Sequence, residues 1–273
     1  LAGVVIVDGR RLFMPVILRF ALLLIGLQLL NFGNGAERQT FVIVHGAWGG
    51  SWAFKEVAEY LEKEGHKVVR PALTGLGECN HLANSNIDLS VHITDVVNTI
   101  LWEDLHDVIL VGHSYGGMVI TGVADQAPNR IRALIYLDAL LPENGESVEK
   151  LVTEVSFPLV VSNGFILPVW VKDPNAIPRD VPQPIKTFTE PVRCTNGSWS
   201  NIPSAYLLTV DPGKEPSTDF FYRFYERAKQ RGWLLYIMEA DHNPQRSKPQ
   251  ELSQLLLKIS GSLSRNPKDK KAP

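Results

Sequence analysis

A serine set between glycines is the residue of this 273-residue chain whose surroundings most clearly suggest chemistry. It is Ser114 in Gly112-His113-Ser114-Tyr115-Gly116, a G-x-S-x-G pattern. Three fixed positions in five residues arise often by chance, so the flanks decide. Residues 107–111 (DVILV) read as a buried strand, and residues 118–124 continue as a helix of small and apolar side chains. A strand turning sharply into a helix strains the backbone at its apex, and flanking glycines remove side chains that would clash there. The apex hydroxyl would stand above the sheet edge, beside helix N-terminal amides that favour developing negative charge.

A serine hydroxyl is a weak nucleophile and needs a base. Of the seven histidines, His242 is the candidate, because EADHNPQRSKPQEL lies between the last strand-like run and the closing helix. His113 is a neighbour on the elbow that points elsewhere, and His45 ends the first strand. His66, His81, His92 and His106 read as surface or helix residues. A third group must fix the tautomer of the base. Asp211, directly after YLLTV, is the preferred acid, and Asp138, directly after IRALIYL, is its rival, with Asp219 and Asp241 behind them. A tetrahedral oxyanion needs preorganised N–H donors. The N–H of Tyr115 follows the serine, and the glycine-rich run His45-Gly46-Ala47-Trp48-Gly49-Gly50 can turn the N–H of Ala47 toward it. Trp48, Trp52, Phe165 and Trp170, with Tyr115, are candidates to line an apolar substrate pocket.

These residues must be positioned by elements that the hydrophobic pattern marks out. Residues 41–45 (FVIVH), 67–70, 107–111, 131–137, 206–210 and 233–238 read as strands. Between and after them, apolar residues at helical spacing include Phe54, Val57, Ala58 and Leu61, then Ile93, Val96, Val97, Ile100 and Leu101, and finally Leu252, Leu255, Leu256 and Ile259. Strands alternating with amphipathic helices predict an α/β fold with a mostly parallel sheet covered on both faces. Residues 141–204 break the alternation with nine prolines, and predict a cap over the C-terminal sheet edge, where open α/β sheets bind ligands. The catalytic domain is thus expected over residues 37–265, with a loose polar tail at 266–273.

The front of the chain is read separately. Arg19 precedes the eleven-residue apolar run FALLLIGLQLL, and small residues follow up to Ala36, the form of a secretory signal peptide. Eleven helical residues rise only about 16 Å, too short for a hydrocarbon core of about 30 Å. Residues 1–36 are therefore expected to be a signal peptide or upstream segment. The mature chain would be secreted or periplasmic, without stable membrane insertion, or cytoplasmic if this segment is not a functional signal. A net charge of −2 gives no reason to expect a nucleic-acid partner. Two cysteines exclude a disulfide framework or a four-cysteine zinc site, and no metal is expected. Export would permit a disulfide between Cys79 and Cys194, tethering the cap.

At HGAWGGSW, LTGLGE, VGHSYGGMVITG, YLDALLPENG and ADHNPQRSKP the chain resembles the α/β-hydrolase superfamily. Within it the resemblance is to the carboxylesterase-like branch of plant methyl-ester esterases, hydroxynitrile lyases and bacterial esterases, some acting on pyrethroids. It covers about residues 41–262 and implies a serine hydrolase of small-molecule esters without metal or organic cofactor. By that resemblance Ser114 is the nucleophile, His242 the base and Asp211 the acid, with Ala47 and Tyr115 at the oxyanion. The lyases of the branch place a threonine and a lysine where this chain has Gly46 and Asn243, so hydrolysis is preferred over cyanohydrin cleavage. Carbon–carbon hydrolysis, or a ligand-binding receptor that keeps the serine and its partners, are the alternatives.

Overall fold

A computed structural model describes residues 4–7, 10–13, 37–152 and 159–263. The chain divides into two units, Leu1–Arg38 and Gln39–Pro273. In the first, Val4–Val7 pairs antiparallel with Arg10–Phe13. The apolar run and exit of the expected export segment, residues 14–36, and the tail at 266–273 lie outside the described residues.

The second unit is built on a parallel sheet of six described strands. These are β1 (Thr40–Val44), β2 (Lys67–Val69), β3 (Val108–His113), β4 (Ile131–Leu137), β5 (Ser204–Val210) and β6 (Leu234–Glu239), in the order β6-β5-β4-β3-β1-β2. Strands β1, β3, β4 and β5 are almost wholly buried, which is why their sequences are continuous apolar runs rather than alternating ones. Strand β6 is an edge and leaves Leu234 and Ile237 exposed.

Successive side chains point to opposite faces, and the core divides accordingly. One layer joins Val42, Val44, Leu110, Leu134, Tyr136 and Leu208 to helices α2 (Leu89–Trp102), α3 (Gly116–Gln126) and α4 (Tyr222–Gln230). The other joins Phe41, Ile43, Ile109, Val111, Ile135 and Leu207 to α1 (Lys55–Lys63) and α5 (Pro249–Ser262). The predicted helical faces are buried except at Val97 and Leu255, which are half-buried, and Leu101, which is exposed at the end of α2. The strand order reverses beside β1, so the loops after β1 and β3 leave adjacent strand ends in different directions. Val44 and Gly112 are level across that pair.

Within residues 141–204 lie the short helices Val148–Val152 and Lys186–Thr189 and a small antiparallel sheet of Val161–Ser162, Phe165–Ile166 and Gln183–Pro184. No disulfide tethers this cap: Cys79 and Cys194 are both free thiols, so the pairing that export would permit is not made. The tether is a carboxylate. Asp125, 4% exposed on α3, accepts the backbone N–H groups of Thr195, Asn196 and Gly197 at 2.8, 2.9 and 3.2 Å. Asp125→Ala would remove the buried carboxylate that these three backbone N–H groups share. The expected loss is about 1–3 kcal/mol of unfolding free energy in urea titration. A change below about 0.5 kcal/mol would show that the cap is held elsewhere.

Candidate active site

The apex of the β3–α3 turn has the backbone that the motif requires. Ser114 has φ 55°, in the left-handed region where a side chain is strained. Its neighbours relieve the crowding. A Cβ at Gly112 would stand 2.7 Å from the Gly116 carbonyl oxygen, and one at Gly116 would stand 2.7 Å from that of Val44. Gly117 is tighter still, since its Cβ would run into the carbonyl oxygen of Leu140. The serine amide donates to Leu137 at 3.2 Å, and its carbonyl accepts from Gly117 and Leu140, both at 3.1 Å.

His242 lies on the loop after β6 and reaches the serine. Its Nε2 is 3.1 Å from Ser114 Oγ, and its Nδ1 is 2.6 Å from Asp138 Oδ2. A carboxylate only accepts, so Nδ1 carries the proton and Nε2 is left to accept from the serine hydroxyl. The imidazole is fixed from both sides. Phe221 stacks on it at 4.8 Å and 10°, and His113 lies across the other contact at 4.8 Å and 36°. His113 also donates Nε2–H to the His242 carbonyl at 2.7 Å. Burial, and next the charge of nearby His242, hold His113 well below the usual histidine range, so it serves as a neutral donor.

Asp138, not Asp211, is the carboxylate against His242. Asp138 is 1% exposed, has φ 44°, and accepts the Thr209 N–H on its second oxygen at 3.0 Å. Asp211 is half-exposed and pairs with Lys214 at 2.7 Å. Register explains the difference. Leu137 is level with Leu207, so Asp138 is level with Leu208 at the sheet edge. Asp211 lies three residues further along, about 10 Å at the rise of a strand, where the chain has already turned into a loop. Asp241 and Asp219 turn their oxygens to local amides, at Asn243 and Phe221.

A cavity of about 590 Å³ opens over Ser114. Trp48, Trp52 and Trp170 line it, as do Ala47 and Tyr115. Phe165 does not; beside it, the Ile166 carbonyl accepts from Trp48 Nε1 at 3.1 Å. The pocket is completed by residues that carried no sequence signal, notably Leu140, Val148, Phe188, Phe220 and Phe221. Phe220 and Phe221 sit in a loop with no periodicity, and Phe188 in a proline-rich stretch. No cluster of potential metal ligands occurs among the described residues, and no described helix is long and apolar enough to cross a membrane.

Behind the serine, two buried histidines brace the loops. His45 accepts the Leu73 N–H on Nε2 at 3.4 Å and donates Nδ1–H to the Gly46 carbonyl at 2.8 Å, with burial lowering its pKa. His92 donates Nε2–H to the Thr74 carbonyl and accepts the Tyr115 hydroxyl proton on Nδ1, each at 2.9 Å. Tyr115, 2% exposed, thus has both its ring and its backbone fixed immediately after Ser114.

With the geometry established, comparison gives the class. Residues 41–255 match the model of the alpha/beta hydrolase family, so the chain belongs to that family and stands among its carboxylic ester hydrolases. It is 38% identical over 240 residues to a carbendazim hydrolyzing esterase of Nocardioides sp. (strain SG-4G), covering 79% of this chain and 97% of that one. Putative methylesterase 13, chloroplastic, of Arabidopsis thaliana is 24% identical over 85% of this chain, which spans 58% of that protein's length. An extracellular alpha/beta-hydrolase from a Paenibacillus species shares the fold with a TM-score of 0.64 at 24% identity, over 84% of this chain and all of that one.

The brace makes the fold sensitive to acid. Burial pushes His92 down to about 4 from 6.5, so the folded chain holds this ring neutral while the unfolded chain protonates it. Its contribution is complete above pH 6.5 and is lost as pH falls toward 4, about 3 kcal/mol in all. In His92→Gln the loss of unfolding free energy between those pH values should be smaller by about that amount. Equal slopes for the two proteins would show that His92 does not carry it.

Proposed function

We propose that this enzyme is a serine esterase in which Ser114 is the nucleophile, His242 the general base and Asp138 the group that orients and stabilises the imidazolium. The observation that carries the reading is the unbroken hydrogen-bonded line from Asp138 through His242 to Ser114 Oγ, ending in the cavity. His242 Nε2 takes the serine proton as Oγ attacks the ester carbonyl carbon. The carbonyl oxygen becomes an oxyanion, held by the N–H groups of Ala47 and Tyr115. Tyr115 opens α3, where amides have no acceptor inside the helix, and Ala47 lies on the loop after β1. The intermediate collapses as His242 returns the proton to the departing alcohol. Water, deprotonated by the same nitrogen, then repeats the attack on the acyl-serine and frees the acid.

The substrates are small to medium, largely apolar esters. A cavity of this size takes one drug-sized molecule, and its walls are mainly aromatic and aliphatic. The bacterial relative named for carbendazim makes that compound a natural member of the panel, beside short-acyl, long-acyl and aryl esters.

Turnover of p-nitrophenyl acetate tests the assignments. Ser114→Ala should lose at least about 10³-fold, and Asp138→Asn about 10⁴-fold in kcat through the wrong histidine tautomer. Asp211→Asn should stay within about twofold of the parent, as expected for an exposed pair. Undiminished turnover in Ser114→Ala, or collapse in Asp211→Asn alone, would overturn the reading.

A further inference from the structure

Trp48 is the centre of a tight turn that the cap, rather than the sheet, holds in place. The Gly49 N–H reaches the Ala47 carbonyl at 2.7 Å, and Trp48 between them has φ 60°. This is a γ-turn of the positive-φ kind, a rare and strained conformation for a bulky residue. Such strain persists only where neighbours over-determine it. Here they do. Gln183 Oε1 accepts the Trp48 N–H at 2.9 Å, the Val181 N–H donates to the Trp48 carbonyl at 2.8 Å, and Trp48 Nε1 donates to the Ile166 carbonyl. Val181, Gln183 and Ile166 all belong to the cap, and Ile166 is paired with Gln183 in its small sheet.

Gln183 is fully buried and its amide can face only one way. The Trp48 amide is a donor, so the oxygen must meet it. At the other end Gln183 Nε2 donates to Thr187 Oγ1 at 2.7 Å, whose own proton goes to the Pro184 carbonyl at 2.6 Å. The same turn of cap then reaches the residue after the serine. Phe188, the next residue after Thr187, stacks on the Tyr115 ring at 5.9 Å and 11°. One side chain therefore stands between the loop carrying the Ala47 N–H and the segment braced on Tyr115.

We propose that Gln183 is a positioning residue for both oxyanion donors, so that the cap must be docked on Trp48 and Tyr115 for Ser114 to react productively. This rests on the serine-esterase reading. The donors must meet the oxygen at transition-state geometry, and a misplacement of about 1 Å costs about 10²-fold in rate. A cap that is loosened leaves the line from Asp138 to Ser114 intact yet lets the Ala47–Trp48 turn relax out of its strained form.

The test compares wild type, Gln183→Leu and Thr187→Val on p-nitrophenyl acetate. Affinity for an aryl trifluoromethyl ketone, which forms a tetrahedral adduct with serine, is measured beside that for the non-fluorinated ketone. Gln183→Leu should lower kcat 10- to 100-fold with KM within twofold, and weaken the fluorinated ketone by the same factor while sparing the plain one. Thr187→Val, which keeps the bond to Trp48, should show a smaller loss of the same form. Raised KM at constant kcat, or unchanged binding of the fluorinated ketone by a folded variant, would overturn the proposal. If Gln183→Leu fails to fold, unchanged kcat and ketone binding in Thr187→Val would overturn it. Should Ser114→Ala retain turnover, the serine reading falls by itself. Hydrogen exchange of the Trp48 amide then still decides the clamp, with protection lost in Gln183→Leu if it holds and retained if it does not.

Discussion

Everything at the site follows from one backbone constraint, the left-handed conformation of Ser114 at the end of β3. It can exist only because three glycines clear the space around it, where carbonyls of β1 and of the chain leaving β4 come close. A side chain at Gly116 would strike the end of β1, and one at Gly117 would strike the chain leaving β4. The elbow is thus a product of the sheet order, not of the five residues alone. The same crowding brings the loop after β1 and the first residues after β4 to the serine, and these supply Ala47 and Asp138.

Positive φ recurs where function is concentrated. Six non-glycine residues adopt it among those described, and Trp48, Ser114 and Asp138 are three of them. Each costs about 1–3 kcal/mol in isolation and survives only under external restraint. The restraints differ in kind. Ser114 is held by backbone packing, Asp138 by its amide bond to Leu207 and its carboxylate bond to Thr209, and Trp48 by the cap. Two of the three are therefore set by the sheet, while the third depends on a segment attached at its edge.

This division also explains what could be read from the sequence. The α/β pattern, the elbow and His242 were legible because strand periodicity and the glycine spacing are local properties. The acid was not. Asp211 and Asp138 both follow buried strands directly, and only the register of β5 against β4 separates them. Register is a long-range property with no signature in either strand. The cap was legible as an interruption, but its contribution was not, since Gln183 sits in VPQP with no periodicity and acts through the two ends of one side-chain amide. Phe165 has the type of a pocket residue, yet it is the backbone carbonyl of its neighbour Ile166 that meets Trp48.

The electrostatics point the same way as the packing. Around the reacting atoms the chain buries three histidines that burial keeps neutral, His45, His92 and His113, each with both hydrogen-bonding roles assigned or one given to a carbonyl. A cation at any of them would oppose formation of the imidazolium on His242, which has Asp138 as its direct carboxylate partner. Keeping the surrounding rings uncharged reserves that carboxylate for one proton-accepting ring. The site thereby combines a polar line of three residues with neutral supports and apolar walls. Against mainly apolar walls, preorganised N–H donors count for more than they would in water. That is why a neutral glutamine in the cap can govern the rate without touching the substrate.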